Sequence, residues 1–182
     1  MYDLSKLHAY GEDVYIADNV VIKRPHLVSV GSHVAIDDFF YCTTQLQIGN
    51  YVHIAPMVSV IGGKDAFFSI GNFCTVAAGC RILCASDNFD GSGLVTAPGI
   101  PEDFLDGVSF LPIWMEDYSS LASNVVVDSG YVIGEGAVVG ANSFVHSDIP
   151  PWEVWVGSPA RKLKDRPREK MIEYARRLGY EP

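Results

Sequence analysis

Large aliphatic residues recur every six positions along much of this chain. The run Met115, Leu121, Val127, Ile133, Val139 and Val145 is unbroken. A second register carries Val30, Ile36, Cys42, Ile48, Ile54 and Val60, and a third carries Ile70, Val76 and Ile82, with Tyr10, Ile16 and Ile22 as a weaker start. A period of six matches neither the 3.6 of an amphipathic helix nor the simple alternation of a lone strand. Within a unit, positions one and five are both apolar, as in Ile48 and Val52 or Ile133 and Ala137, which is strand-like. Each unit therefore predicts a short strand and a turn. Three units return the chain over its start, so that like positions stack and the aliphatic side chains of successive coils fill one column. Gly or another small residue often follows the aliphatic one, as in Ile48-Gly49-Asn50, Ile70-Gly71-Asn72, Ile133-Gly134-Glu135 and Val139-Gly140-Ala141. These glycines and asparagines are expected at corners, where positive φ costs them least.

Two interruptions shift the register. The smaller covers residues 62–68 and reads as a corner extension. The larger covers residues 84–113, is rich in Gly, Asp and Pro, and is too long for a bare connection, which marks it as a functional suspect projecting from the prism. After Val145 the pattern ends in Asp148-Ile149-Pro150-Pro151-Trp152. Residues 167–178 then alternate charged and apolar positions at helical spacing, with Gly179 as a stop, predicting one helix that caps the open end of the coil. The expected organisation is an all-β solenoid over residues 1–166, with a protruding loop at about 84–113, followed by a short C-terminal α-helix within 167–182.

Composition narrows the partners. With 182 residues, 48% of them hydrophobic, the chain can bury one sizeable core. Its 22 acidic residues exceed its 13 basic ones, for a net charge of −9, which disfavours nucleic acid. Cys42, Cys74, Cys80 and Cys84 form no CxxC pair, and the first residues lack the charged head and apolar run of a signal peptide. Both features point to reduced, mostly buried thiols and a cytoplasmic location. No apolar stretch approaches the roughly 20 residues that span a bilayer, so no membrane span is expected.

The repeated units resemble the [LIV]-G-x-x-x-x hexapeptides of the left-handed parallel β-helix acyltransferases, over residues 10–165. The left hand comes from that resemblance, since the handedness rule for parallel crossovers favours the opposite sense. The segment 148–152, followed by Val156-Gly157-Ser158-Pro159-Ala160-Arg161-Lys162, is similar to the closing motif of sugar and antibiotic acetyltransferases of this class. The resemblance implies an acyl-CoA, acetyl-CoA by analogy, as co-substrate, a sugar acceptor bearing an amine or hydroxyl, and a homotrimer with pantetheine in the groove between subunits. Ala122, Gly140, Ala141 and Ser143 are the local candidates for lining that groove. Arg161, Lys162, Lys164 and Arg166 form the densest basic run and offer charge-assisted donors to the coenzyme phosphates; a solvated face before the helix is the plainer account.

The long loop opens Ser86-Asp87-Asn88-Phe89-Asp90-Gly91-Ser92-Gly93-Leu94 and continues Pro98-Gly99-Ile100-Pro101. It resembles a polysaccharide-cluster subgroup with an Asp-Asp-[FY]-x-G-x-G-L segment, except that Asn88 stands where a second Asp is common. More familiar relatives place a histidine base in this loop, whereas His8, His26, His33, His53 and His146 all fall outside it. A carboxylate near its free pKa is a weak base toward an alcohol but adequate for an amine that need only be held and relieved of a proton, so an amine acceptor gains weight. Asp87 is the first candidate, with Asn88 beside it and Glu116 as a second carboxylate; Asp90 and Phe89 are expected to contact the acceptor. Alternatively, Asp87 and Asp90 only close turns through side-chain hydrogen bonds. His53, one coil before the base of the loop, is expected either to face the same groove or to be a corner residue bonded to backbone. Gaps of 18, 7, 20 and 93 residues between the histidines do not suit the stacked three-histidine metal site of γ-type carbonic anhydrases, and no metal is expected. A β-helix scaffold without ligand is the non-enzymatic alternative.

Overall fold

The computed structural model describes residues 2–180. The first residue and the last two of the expected segments lie outside the described residues. Six full coils and the start of a seventh form a three-faced prism. Face one stacks Ala9–Tyr10, Val28–Val30, Gln45–Ile48, Phe67–Ile70, Ile113–Met115 and Val132–Ile133, each parallel to the next. Face two runs from Val14–Ile16 to Glu153–Val156, and face three from Val21–Ile22 to Phe144–Val145. Val30, Ile48, Ile70, Met115 and Ile133 are successive Cα partners, so the three sequence registers are one physical column. The interruptions widen the spacing between stacked residues from 18 to 22 and 45 positions without moving any inward side chain outward.

The predicted aliphatic positions are buried, with one exception. Tyr10 is half exposed because it belongs to the terminal coil, whose opening is covered instead by Leu7 with Tyr2 and Leu4 packed on the core. Each fully buried Val, Leu or Ile contributes about 1.5–3 kcal/mol relative to exposure, so the stacked columns are the main stabilising feature.

The corners depart from expectation. Gly11, Gly31, Gly49, Gly71 and Gly134 do not have positive φ. They are required by close approach: a Cβ on Gly49 would lie 2.8 Å from the carbonyl oxygen of Gly71 in the next coil. Positive φ falls two residues later, at Asp13, His33, Tyr51, Phe73, Tyr118, Gly136 and Trp152. For residues other than glycine that backbone costs roughly 1–2 kcal/mol each. The compensation is a ladder of rings on one edge: His33 on Tyr51 at 4.7 Å, Tyr51 on Phe73 at 4.8 Å, Phe73 on Tyr118 at 5.3 Å, and Tyr118 against Trp152 at 5.9 Å. Beside it the Asn50, Asn72 and Asp117 side chains accept the backbone N–H of Ser32, Asn50 and Asn72, one coil back each time.

The far end is closed by an antiparallel strand, Arg161–Asp165, paired with Glu153–Val156, and by the helix α1, Glu169–Arg177, which ends at Gly179 with φ 82°. Helix α1 packs Ala175, Met171 and Ile172 on the Tyr118–Trp152 end of the ladder. No helix among the described residues is long and apolar enough to cross a membrane.

Candidate active site

The long loop leaves face three after Leu83. Ala85–Asp87 pairs antiparallel with Val108–Phe110, giving the loop a two-stranded stem. Its hub is Asp106, a buried carboxylate that accepts hydrogen bonds from the amides of Asp90 (2.9 Å), Gly91 (3.3 Å) and Ser92 (3.2 Å) and from the Ser92 hydroxyl. These bonds, Ser92's first and Asp90's second, hold the Asp106 carboxyl at about 2. Asn88 straps the stem: its Nδ2 donates to the Asp106 carbonyl at 3.1 Å and its Oδ1 accepts the Ser109 hydroxyl at 2.6 Å. Asp90 closes a turn on the Ser92 amide at 2.8 Å, as the plainer account of that residue expects. Asp87 accepts the Thr96 amide at 2.9 Å, and the hydrogen bonds of Thr96, hydroxyl first and amide second, pull its carboxyl below the usual range. It is therefore an ionised acceptor.

Asp87, Asn88 and the exposed ring of Phe89 line an open groove of about 370 Å³ whose opposite wall is Asp128, Ser129 and Tyr131 from the solenoid. Glu116 does not join them within the chain. It sits past the far end of the face-one strand Ile113–Met115, with Oε2 accepting the Glu135 amide at 2.8 Å, and lines a different groove with Trp114 and Asp117. His53 is neither a corner residue nor turned to the loop. It points outward from the middle of Val52–Ile54 on face two, with Nε2 2.9 Å from Asp37 Oδ2.

Of the expected coenzyme contacts, Ala122 and Gly140 stack at the corner after face two, continuing Ala55 and Ala77. Ala141 is exposed beside them. Ser143 is buried and its hydroxyl accepts the Gly157 amide at 2.9 Å, which ties down the closing segment. Lys162 bridges Glu153 at 2.6 Å and Asp165 at 2.7 Å, and Arg161 is exposed with one nitrogen donating to the Ala160 carbonyl. Arg166 turns inward and donates to the carbonyls of Tyr118 and Gly136, so its work is structural.

Two features escaped the sequence reading. Asp106 is one acid among several in the loop, and nothing in its neighbours marks it as the hub. Asp128 and His146 form a pair, Oδ2 to Nδ1 at 2.9 Å, and their spacing of 18 residues is the coil period itself, a signal that was there to be used.

A three-faced parallel solenoid with small residues along one corner and a polar loop at another defines a β-helix acyltransferase. No protein-family profile matches the chain. It is 26% identical over 167 residues to the dTDP-4-amino-4,6-dideoxy-D-glucose acyltransferase of Escherichia coli, covering 90% of this chain and 84% of that one. AntD, an N-acyltransferase from Bacillus cereus solved with dTDP and 3-hydroxybutyryl-CoA, superposes with a TM-score of 0.88 at 29% identity, covering 96% of this chain and 90% of AntD. A variant of AntD in complex with dTDP-4-amino-4,6-dideoxyglucose and coenzyme A is 30% identical, with 96% and 91% covered and a TM-score of 0.88. The chain belongs to the hexapeptide-repeat acyltransferases, and its coil is their left-handed β-helix.

Proposed function

We propose that this protein transfers an acyl group from an acyl-CoA to the amino group of a nucleotide-linked sugar, in the cytoplasm and as a homotrimer, to supply a polysaccharide precursor. The observation that carries this is the near full-length likeness to two N-acyltransferases of dTDP-linked amino sugars, joined to a loop whose leading side chain is an ionised carboxylate. Asp87 suits an amine better than an alcohol. As a permanent acceptor it orients the sugar nitrogen but draws little proton from it. Asn88 and Asp90 shape the loop around it, and Phe89 offers a ring to the sugar or base. On the donor side, Ala122, Gly140 and Ala141 leave room for pantetheine along the corner after face two, and Arg161 is the accessible cation for the coenzyme phosphates. Residues 1–166 then carry the chemistry, and 167–182 support it.

The test is calorimetric titration with coenzyme A and acetyl-CoA, followed by turnover of acetyl-CoA with dTDP-4-amino-4,6-dideoxyglucose and with the corresponding 4-hydroxy sugar. One coenzyme bound per chain and acetylation of the amine alone are expected. A folded protein that binds no coenzyme overturns the proposal; acetylation of the hydroxyl sugar alone overturns the choice of acceptor.

A further inference from the structure

Attack by an amine on a thioester must dispose of one proton, and neither predicted carboxylate is placed to take it. Asp87 is held ionised by Thr96, which lowers its basicity, and Glu116 lies in another groove. Three histidine–aspartate pairs occur on the solenoid: His33 with Asp13, His53 with Asp37, and His146 with Asp128. The first two are on the early coils, in a groove of face two that no loop residue touches. The third differs because Asp128, with Tyr131, forms the solenoid wall of the groove that Asp87, Asn88 and Phe89 close from the loop side.

The pair is built to present a lone pair. Asp128 Oδ1 accepts the Ser129 amide at 2.9 Å, which fixes the carboxylate, and Oδ2 meets His146 Nδ1 at 2.9 Å. A carboxylate only accepts, so Nδ1 carries the proton and Nε2 of the neutral ring is left free to accept one. Phe144 stacks on the ring at 5.5 Å and Tyr131 meets it edge-on at 5.5 Å, while more than half of the side chain remains open to solvent. Imidazole, with a free pKa of about 6.5, is the side chain suited to proton abstraction near neutrality.

We infer that His146, oriented by Asp128, is the general base of the acyl transfer, standing on the solenoid wall in place of a loop histidine; this rests on the function proposed above. In the step, the sugar nitrogen attacks the thioester carbonyl carbon. A C–N bond forms, the C–S bond breaks, the proton leaves the nitrogen for His146 Nε2, and the departing thiolate takes it up as the free thiol of coenzyme A. No oxidant or metal enters. Asp87 holds the amine and Asp128 is a positioning residue.

The experiment compares the full-length protein with His146→Ala, Asp128→Asn and His33→Asn, using acetyl-CoA and dTDP-4-amino-4,6-dideoxyglucose. His146→Ala is expected to lower kcat by about 10²–10⁴-fold, with KM for both substrates and calorimetric coenzyme affinity within about threefold, and added imidazole should restore part of the rate. Asp128→Asn should lower kcat about tenfold or more, and His33→Asn should leave it unchanged. A parent protein that turns over normally alongside a His146→Ala variant within threefold in kcat overturns the base while leaving the acyltransferase standing. A parent that turns over neither amine nor hydroxyl sugars sinks the function and the base together. If His146→Ala does not fold, Asp128→Asn carries the same decision: unchanged kcat overturns the inference.

Discussion

The hydroxyl of Tyr118 is buried, and among the described residues no atom hydrogen-bonds to it. It sits there because the ring is needed between Phe73 and Trp152, while the oxygen is carried along with it. Burial, together with the charges of Asp117 and Glu135, pushes its phenol up, consistent with a group denied water. Tyr118→Phe keeps the stacking and removes a desolvated donor, so thermal unfolding should show stability unchanged or raised by about 1 kcal/mol. Gly49→Ala is the opposite case. The added methyl meets backbone of the next coil at 2.8 Å rather than a side chain that can swing away, so the coils must part locally, and a loss of about 1–3 kcal/mol is expected in the same measurement. A smaller loss than for an exposed substitution on face three would show that the prism relaxes there at no cost. These two residues also mark the limit of what the sequence discloses. Ile48-Gly49 was legible as a repeat, but the reason for the glycine was misassigned to φ, because close approach depends on the neighbouring coil and not on the local chain.

At the scale of the element, the loop is ordered by one carboxylate. Asp106 collects the amides of three consecutive residues, and its carboxyl is held at about 2 in the folded loop, below an unfolded value near 4. A depressed pKa contributes stability above the unfolded value and loses it as pH falls toward the folded one. The loop should therefore open between about pH 4 and pH 2 while the solenoid, whose contacts are apolar, persists. Hydrogen exchange at the Asp90, Gly91 and Ser92 amides, corrected for the intrinsic rate, should show protection at pH 4 and little at pH 2. Asp106→Asn should be poorly protected throughout; equal protection in parent and variant would remove Asp106 from its central place. The existence of the loop was legible from the broken period over residues 84–113. Its internal bonding was not, since choosing among Asp87, Asp90, Asp103 and Asp106 needs the antiparallel register that sets Asp87 opposite Val108. The same holds for His53 and Glu116: coil position could be counted from the sequence, but the partners Asp37 and the Glu135 amide depend on how each side chain turns.

At the scale of the whole molecule, the prism leaves an uneven surface. Phe39 and Met57 stand at the corner after face two with 59% and 64% of their surface exposed, and Val21 and Tyr41 continue the apolar patch onto face three. Contiguous apolar surface of this kind marks a contact site. Farther along the same corner lie Ala55, Ala77, Ala122 and Gly140, the small residues proposed to admit pantetheine. An edge that is apolar at one end and recessed at the other is suited to a neighbour that packs on the first part and completes a cleft over the second. Cyclic closure of such a head-to-tail contact gives equal sites on every subunit. The expected outcome is a parent of trimeric mass by light scattering. A Phe39→Glu, Met57→Glu double variant should be monomeric, because two carboxylates would be desolvated at each contact, with its far-ultraviolet ellipticity intact since neither side chain reaches the core. Acyl transfer should fall with assembly, tracking the trimer fraction as protein concentration is varied. A variant that is monomeric and fully active would confine the site to one chain, and the small-residue corner would then need another purpose; a parent that is itself monomeric would remove the shared cleft altogether.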